Sequence, residues 1–125
     1  MKRDLSLLLV IAVGLFISSA PVFAHHGQAS YDPMKLVTVH GTVTEFRFAN
    51  PHTQVSLDVK DQNGHVEHWV CEAMSPNMLT REGWDRHTLQ PGEMITATGH
   101  PAKDHSTTMR LTKIVLANGE TRDYL

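Results

Sequence analysis

Nine histidines fall in a chain of 125 residues, and all of them lie beyond position 24. Imidazole is a ligand shared by zinc, copper, nickel and iron, so their spacing is a first guide to chemistry. His25 and His26 directly follow Val22-Phe23-Ala24, which fits the small-x-small preference of a signal peptidase site. Cleavage there makes His25 the mature N-terminus. One residue then offers two nitrogen donors, the α-amine and an imidazole. An α-amine has a pKa of about 8, so a metal displaces its proton near neutral pH. His26 adds another chelate ring. Copper(II) tops the divalent affinity order and suits such a nitrogen-rich terminus.

A third nitrogen must come from elsewhere in the chain. His52 follows Asn50-Pro51, and His100 precedes Pro101. These two are the leading candidates, with His105 as a further option. Met34 and Met109 are soft donors suited to copper(I). The bland alternative is that His52 and His100 only hold turns next to proline. His65 and His68 point to opposite sides of one strand by alternation and cannot chelate one metal together. They read as surface or packing residues, as do His40 and His87.

Glu72 is a carboxylate at the end of a predicted strand and wants a partner if buried. A satisfied structural role is the first reading, and support of a metal ligand is the second. Trp69 and Trp84 offer aromatic faces, but core packing explains both. Cys71 is the only cysteine, so an intramolecular disulfide is impossible, and it reads as a small hydrophobe. There is no nucleophile elbow, phosphate loop, His-Glu-x-x-His or Cys-x-x-Cys. The sequence therefore carries no catalytic motif.

The elements that would position these residues begin with a leader. Lys2 and Arg3 form a positive n-region, and Leu5 to Phe16 an apolar run. A bilayer crossing needs ~20 apolar residues, and this run is shorter. Residues 1–24 thus read as a helical signal peptide, 25–35 as a polar arm, and 36–125 as one small domain. Loss of Lys2, Arg3 and Asp4 takes the formal charge from −2 to −3. That weak acidity leaves no electrostatic footprint for nucleic acid, and no basic amphipathic stretch suggests a membrane surface.

Leu36 to Phe48 reads as a long strand. Val37, Val39, Gly41 and Val43 share one face, and Phe46 and Phe48 continue on the other, so a bulge belongs near Thr44-Glu45. Val55, Leu57 and Val59 alternate with polar residues as a second strand. Asn63-Gly64 predicts a type I′ hairpin leading to a third strand from about His65 to Ala73. Ser75-Pro76 opens a short helix to Glu82. Gly83 is placed at its C′ position, and Trp84 is placed to pack on Leu79. Pro91-Gly92 predicts a type II turn. Glu93 to Gly99 and Met109 to Ala117 are strands around a loop from His100 to Thr108. Asn118-Gly119 turns into a final strand near Thr121 to Tyr124. A helix between strands three and four of a five-stranded set is the order of an OB-like Greek-key barrel. In that fold the loops holding His52 and His100 frame the binding face.

Several motifs then stand in order. They are Ala24-His25-His26-Gly27, Gly41-Thr42-Val43-Thr44-Glu45-Phe46, Asn50-Pro51-His52, Ser75-Pro76-Asn77, Gly83-Trp84, Pro91-Gly92 and Gly99-His100-Pro101-Ala102-Lys103-Asp104. Together they resemble DUF6152, a family of small exported bacterial proteins of unknown function, over nearly the whole mature chain. The resemblance implies a periplasmic place and an OB-like barrel, and it brings no activity. The chain departs from the family in having His105-Ser106-Thr107-Thr108-Met109 where Gly-rich sequence is usual, and in having Cys71. The amine-plus-imidazole terminus also resembles the histidine brace of copper proteins.

The expectation is a periplasmic or secreted binding protein that holds copper through His25, His26, His52 and His100. Its task would be metal handling or delivery to a periplasmic partner. The contrasting expectation is a metal-free module that binds a protein or small ligand on the barrel face. A third is a small metalloenzyme with an open coordination position. Mass analysis of the exported form should show a chain that begins at His25. Any other start removes the terminal amine from the ligand set.

Overall fold

The computed structural model describes residues 27–123. The predicted leader, His25, His26 and Tyr124 lie outside the described residues. Six strands follow a 3₁₀ turn at Gln28–Ser30: β1 (Val37–Arg47), β2 (Gln54–Lys60), β3 (Val66–Glu72), β4 (Met94–Pro101), β5 (Thr108–Val115) and β6 (Thr121–Asp123). One short helix, α1 (Pro76–Arg81), stands between β3 and β4. The sheet runs β3-β2-β1-β4-β5-β6, and a parallel pairing of β3 with β5 closes the first five strands into a barrel. This is the expected OB-like architecture, with β6 as an extension. Among the described residues no helix is long and apolar enough to cross a membrane.

The alternation in the strands explains the closure. Val43, Val55, Leu57, Ile95, Ala97, Met109 and Ile114 point inward and are buried. β1 serves both halves of the barrel because its register on β2 shifts between Val43 and Glu45. The bulge reverses the inward phase, so Phe46 and Phe48 pack on the core beyond it. Phe46 lies 6.0 Å from the Trp84 ring, centroid to centroid. The third strand buries Cys71, and Ala73 just beyond it is buried too, which settles its inward face. Burial pushes the Cys71 thiol up to about 12.

Helix α1 ends as its sequence dictates. Gly83 takes a positive φ of 80°. The Gly83 N–H donates to the Thr80 carbonyl and the Trp84 N–H to the Leu79 carbonyl, both bonds of a Schellman end. Leu79 and Trp84 are fully buried and, with Leu89, join the barrel core. The Pro91-Gly92 turn has Gly92 at φ 95° and a Glu93 N–H to Gln90 C=O bond, as type II requires.

Two expectations change. Asn63 does not have positive φ, while Gly64 does at 85°, so the hairpin is not type I′. Its turn is closed by the Gly64 N–H on the Asp61 carbonyl, and the Asp61 carboxylate accepts from the Asn63 and His65 amides. That side chain stabilises a wider loop. Strand β4 also ends two residues later than expected, so His100 sits on a strand rather than in a loop.

Gly99 marks the second irregularity of the barrel. The β4–β5 register shifts between Thr98 and Gly99, and a Cβ at Gly99 would overlap the Arg110 carbonyl. Gly99→Ala should therefore destabilise the fold by about 1–3 kcal/mol, the usual cost of forcing extra bulk into a packed site. Urea denaturation checks this. An unchanged midpoint would mean that the strands part without cost.

Candidate functional site

The outer wall of the barrel carries a cleft of about 890 Å³. Its floor is the place where β5 meets β3 and β4. Arg110 pairs with His100 on β4 and with Glu72 on β3. Directly paired residues share a face, and their neighbours Cys71 and Met109 point into the core. His100, Arg110 and Glu72 therefore form one outward row across three strands. Pro51 and His52 form one rim, and Met74, Ser75 and Met78 at the start of α1 form another.

The third rim is the arm, which docks against the end of β4. The Asp32 N–H donates to the Pro101 carbonyl, and the Lys103 N–H donates to the Ser30 carbonyl, each at 2.9 Å. Tyr31 bridges to Ala102 and is buried, 6% exposed. Its hydroxyl donates to Glu72 Oε2 at 3.0 Å. Burial, with the Glu72 charge adding to it, raises the Tyr31 pKa well above its ordinary value. Arg110 acts on the same hydroxyl in the opposite direction. The arm was expected to be polar and irregular, and Tyr31 instead ties it to the barrel.

The two histidines at the cleft share one feature. His100 Nδ1 lies 2.7 Å from the Lys35 carbonyl. His52 Nδ1 lies 3.4 Å from the Ala73 carbonyl and 3.4 Å from Glu72 Oε1. Carbonyls and carboxylates only accept, so Nδ1 carries the hydrogen in each ring. In the neutral imidazole Nε2 then keeps its lone pair. This is the arrangement in which metal-ligating histidines are held, with a carbonyl or carboxylate fixing the tautomer and the ring. Glu72 joins the two halves of the site, since one oxygen takes the Tyr31 hydroxyl and the other faces His52.

Of the four predicted ligands, His52 and His100 are brought to one cleft, and His25 and His26 lie outside the described residues. Gly27, the residue after His26, lines the same cleft. Among the described residues no three His, Cys, Asp or Glu side chains gather closely enough to hold a metal unaided. The other candidates do not line this cleft. Met109 is fully buried in the core, and Met34 is 89% exposed. His105 is an exposed loop residue with φ 63°. His65, His68 and His40 are exposed and bond Asp61, Asp58 and Thr96 respectively. Trp69 packs against the core and donates to Glu67.

Tyr31 and Arg110 were missed from sequence. Tyr31 is the one aromatic residue in a polar arm, a usable signal for anchoring. Arg110 alternates with Met109 and Leu111 on a strand, which predicts only an outward side chain.

The model of a family of unknown function, DUF6152, matches residues 13–110. No curated protein matches the chain. Among solved structures, the mitochondrial single-stranded DNA binding protein Rim1 of S. cerevisiae is similar in fold. One form has a TM-score of 0.51 at 11% identity, covering 66% of this chain and 92% of that one. Another has a TM-score of 0.51 at 8% identity, covering 66% and 91%. These likenesses concern the OB-fold.

Removing the Tyr31 hydroxyl tests the arm. Tyr31→Phe should cost about 1.5–3 kcal/mol, since the bond is to a charged acceptor. Because folding raises the Tyr31 pKa, its stabilisation is complete below the unfolded value of about 10 and is lost as pH climbs past it. The loss of stability above pH ~10 should be shallower in Tyr31→Phe. Parallel denaturation curves at both pH extremes would show that the tyrosine does not bury its proton.

Proposed function

The chain belongs to the DUF6152 family of unknown function, and we propose that it acts as an exported OB-fold protein that binds a transition metal, copper foremost, in the cleft between arm and barrel. The observation that carries this reading is the matched state of His52 and His100. They are far apart in sequence, line one cleft, and both have Nδ1 committed to an oxygen acceptor. Two such imidazoles supply half of a four-coordinate site. The amine of a mature terminus at His25 and the His26 ring supply the rest, and Gly27 on the rim supports their reach. Glu72 and Tyr31 then act as supports, with Glu72 making His52 a stronger donor. In this reading the protein handles copper in the periplasm or passes it to a protein partner.

A second reading is favoured by the size of the cleft. A volume of about 890 Å³, with Pro33, Met74 and Met78 on its walls, is far more than an ion fills and suits a small molecule with an apolar body. This is the metal-free alternative. Nucleic acid fits less well in spite of the fold shared with DNA-binding proteins. The formal charge is −2 for the full chain and −3 without residues 1–24, and Asp58 and Glu72 lie on the outer β2–β3 face. Phosphate tracks require the opposite sign.

Copper(II) titration of the protein processed at His25, followed by the visible band and nitrogen hyperfine structure, tests the metal reading. His52→Ala and His100→Ala should each weaken binding at least tenfold. Glu72→Gln should weaken it by roughly 10–100-fold, the usual effect of losing a supporting acceptor. One extra residue before His25 should weaken it as strongly as loss of a histidine. Equal binding by all forms, or none by the processed protein, would refute it.

A further inference from the structure

We infer that the cleft contains a carboxylate subsite built on Arg110, and that its ligand is a small organic acid with an apolar body. This rests on the cleft being a binding site and not on the metal. Arg110 is half-buried on the cleft floor, yet its guanidinium makes no hydrogen bond or ion pair among the described residues. Its register neighbour Glu72 is the natural partner, but that carboxylate is engaged elsewhere. Oε2 accepts from Tyr31 at 3.0 Å, and Oε1 faces His52 at 3.4 Å. No ion pair joins Glu72 to Arg110 among the described residues. Arg110 thus brings a planar fork of N–H donors to the lining of the cleft.

The other walls define what else the ligand must be. Pro33, Met74 and Met78 line the same cleft. Met78 is 52% exposed, so its apolar side chain is open to cover a ligand's hydrocarbon. A guanidinium with open donors beside apolar walls pairs a bidentate carboxylate with a hydrocarbon body. Glu72 stands near enough to keep the floor close to neutral. Recognition then depends on the fork geometry rather than on net charge. Phosphate, which carries more charge and no apolar body, is the poorer fit.

Metal-stripped protein titrated with hexanoate, with hexan-1-ol as the uncharged control, tests this by amide chemical-shift mapping. Hexanoate should bind at least tenfold more tightly than hexanol and shift residues around Arg110, Met74 and Met78. Arg110→Gln should lose that advantage while its amide spectrum away from the cleft stays that of the parent, which shows that the fold is intact. Arg110→Lys should recover only part of it, because an ammonium cannot reproduce the fork. Equal binding of acid and alcohol, or full hexanoate binding by Arg110→Gln, would overturn the subsite. Because the protein is stripped, failure of copper to bind leaves this result unaffected. Hexanoate protection of Arg110 from phenylglyoxal, not matched by hexanol, gives a check that needs no variant.

Discussion

The pairing of β3 with β5 is the constraint on which the rest depends. It is parallel and only three rungs long, Val70 with Thr108, Cys71 with Met109 and Glu72 with Arg110. Without it the sheet is an open ribbon whose two ends expose a hydrophobic face. With it the inward residues of five strands meet in one core. The same three rungs set the outer surface. They place Glu72 beside Arg110, and the β4–β5 register then places Arg110 beside His100. The chemistry of the cleft is a by-product of how the barrel shuts.

Two elements reinforce that short seam from opposite sides. Inside, α1 puts Leu79 and, through its glycine end, Trp84 into the core. Arg122 on β6 stacks over the Trp84 ring at 5.4 Å and reaches the Gly83 carbonyl. Outside, the arm borders the row and fixes Glu72 through Tyr31. The buried hydroxyl and the carboxylate satisfy each other, which removes the cost of leaving either one alone. Glu72 thereby becomes unavailable to Arg110, and two polar groups with different tasks are kept apart although their strands touch.

Most of the barrel was legible in the residues themselves. The Val/Phe phase change announced the β1 bulge, Ser75-Pro76 with Gly83-Trp84 announced both ends of the helix, and Pro91-Gly92 its turn. These signals are local, and local rules act on them directly. The hairpin at Asn63-Gly64 was misjudged because the Asp61 side chain competes for the turn amides. The cleft was legible only in part. His52 and His100 stood out by type and by their prolines, whereas Arg110 and Tyr31 acquire meaning from partners on other strands. Register across β3, β5 and β4 is not written in the spacing of any one segment. The docking of the arm depends on one aromatic ring finding one carboxylate, a long-range match that periodicity does not encode.

The bond from His100 to the Lys35 carbonyl has a wider consequence. That carbonyl belongs to the arm, while the ring belongs to the barrel. Whatever occupies the cleft and prefers His100 in this orientation must also favour the seated arm. By linkage the seated arm favours that occupant by the same factor. A change that loosens the arm therefore weakens the hold on such an occupant by that same factor.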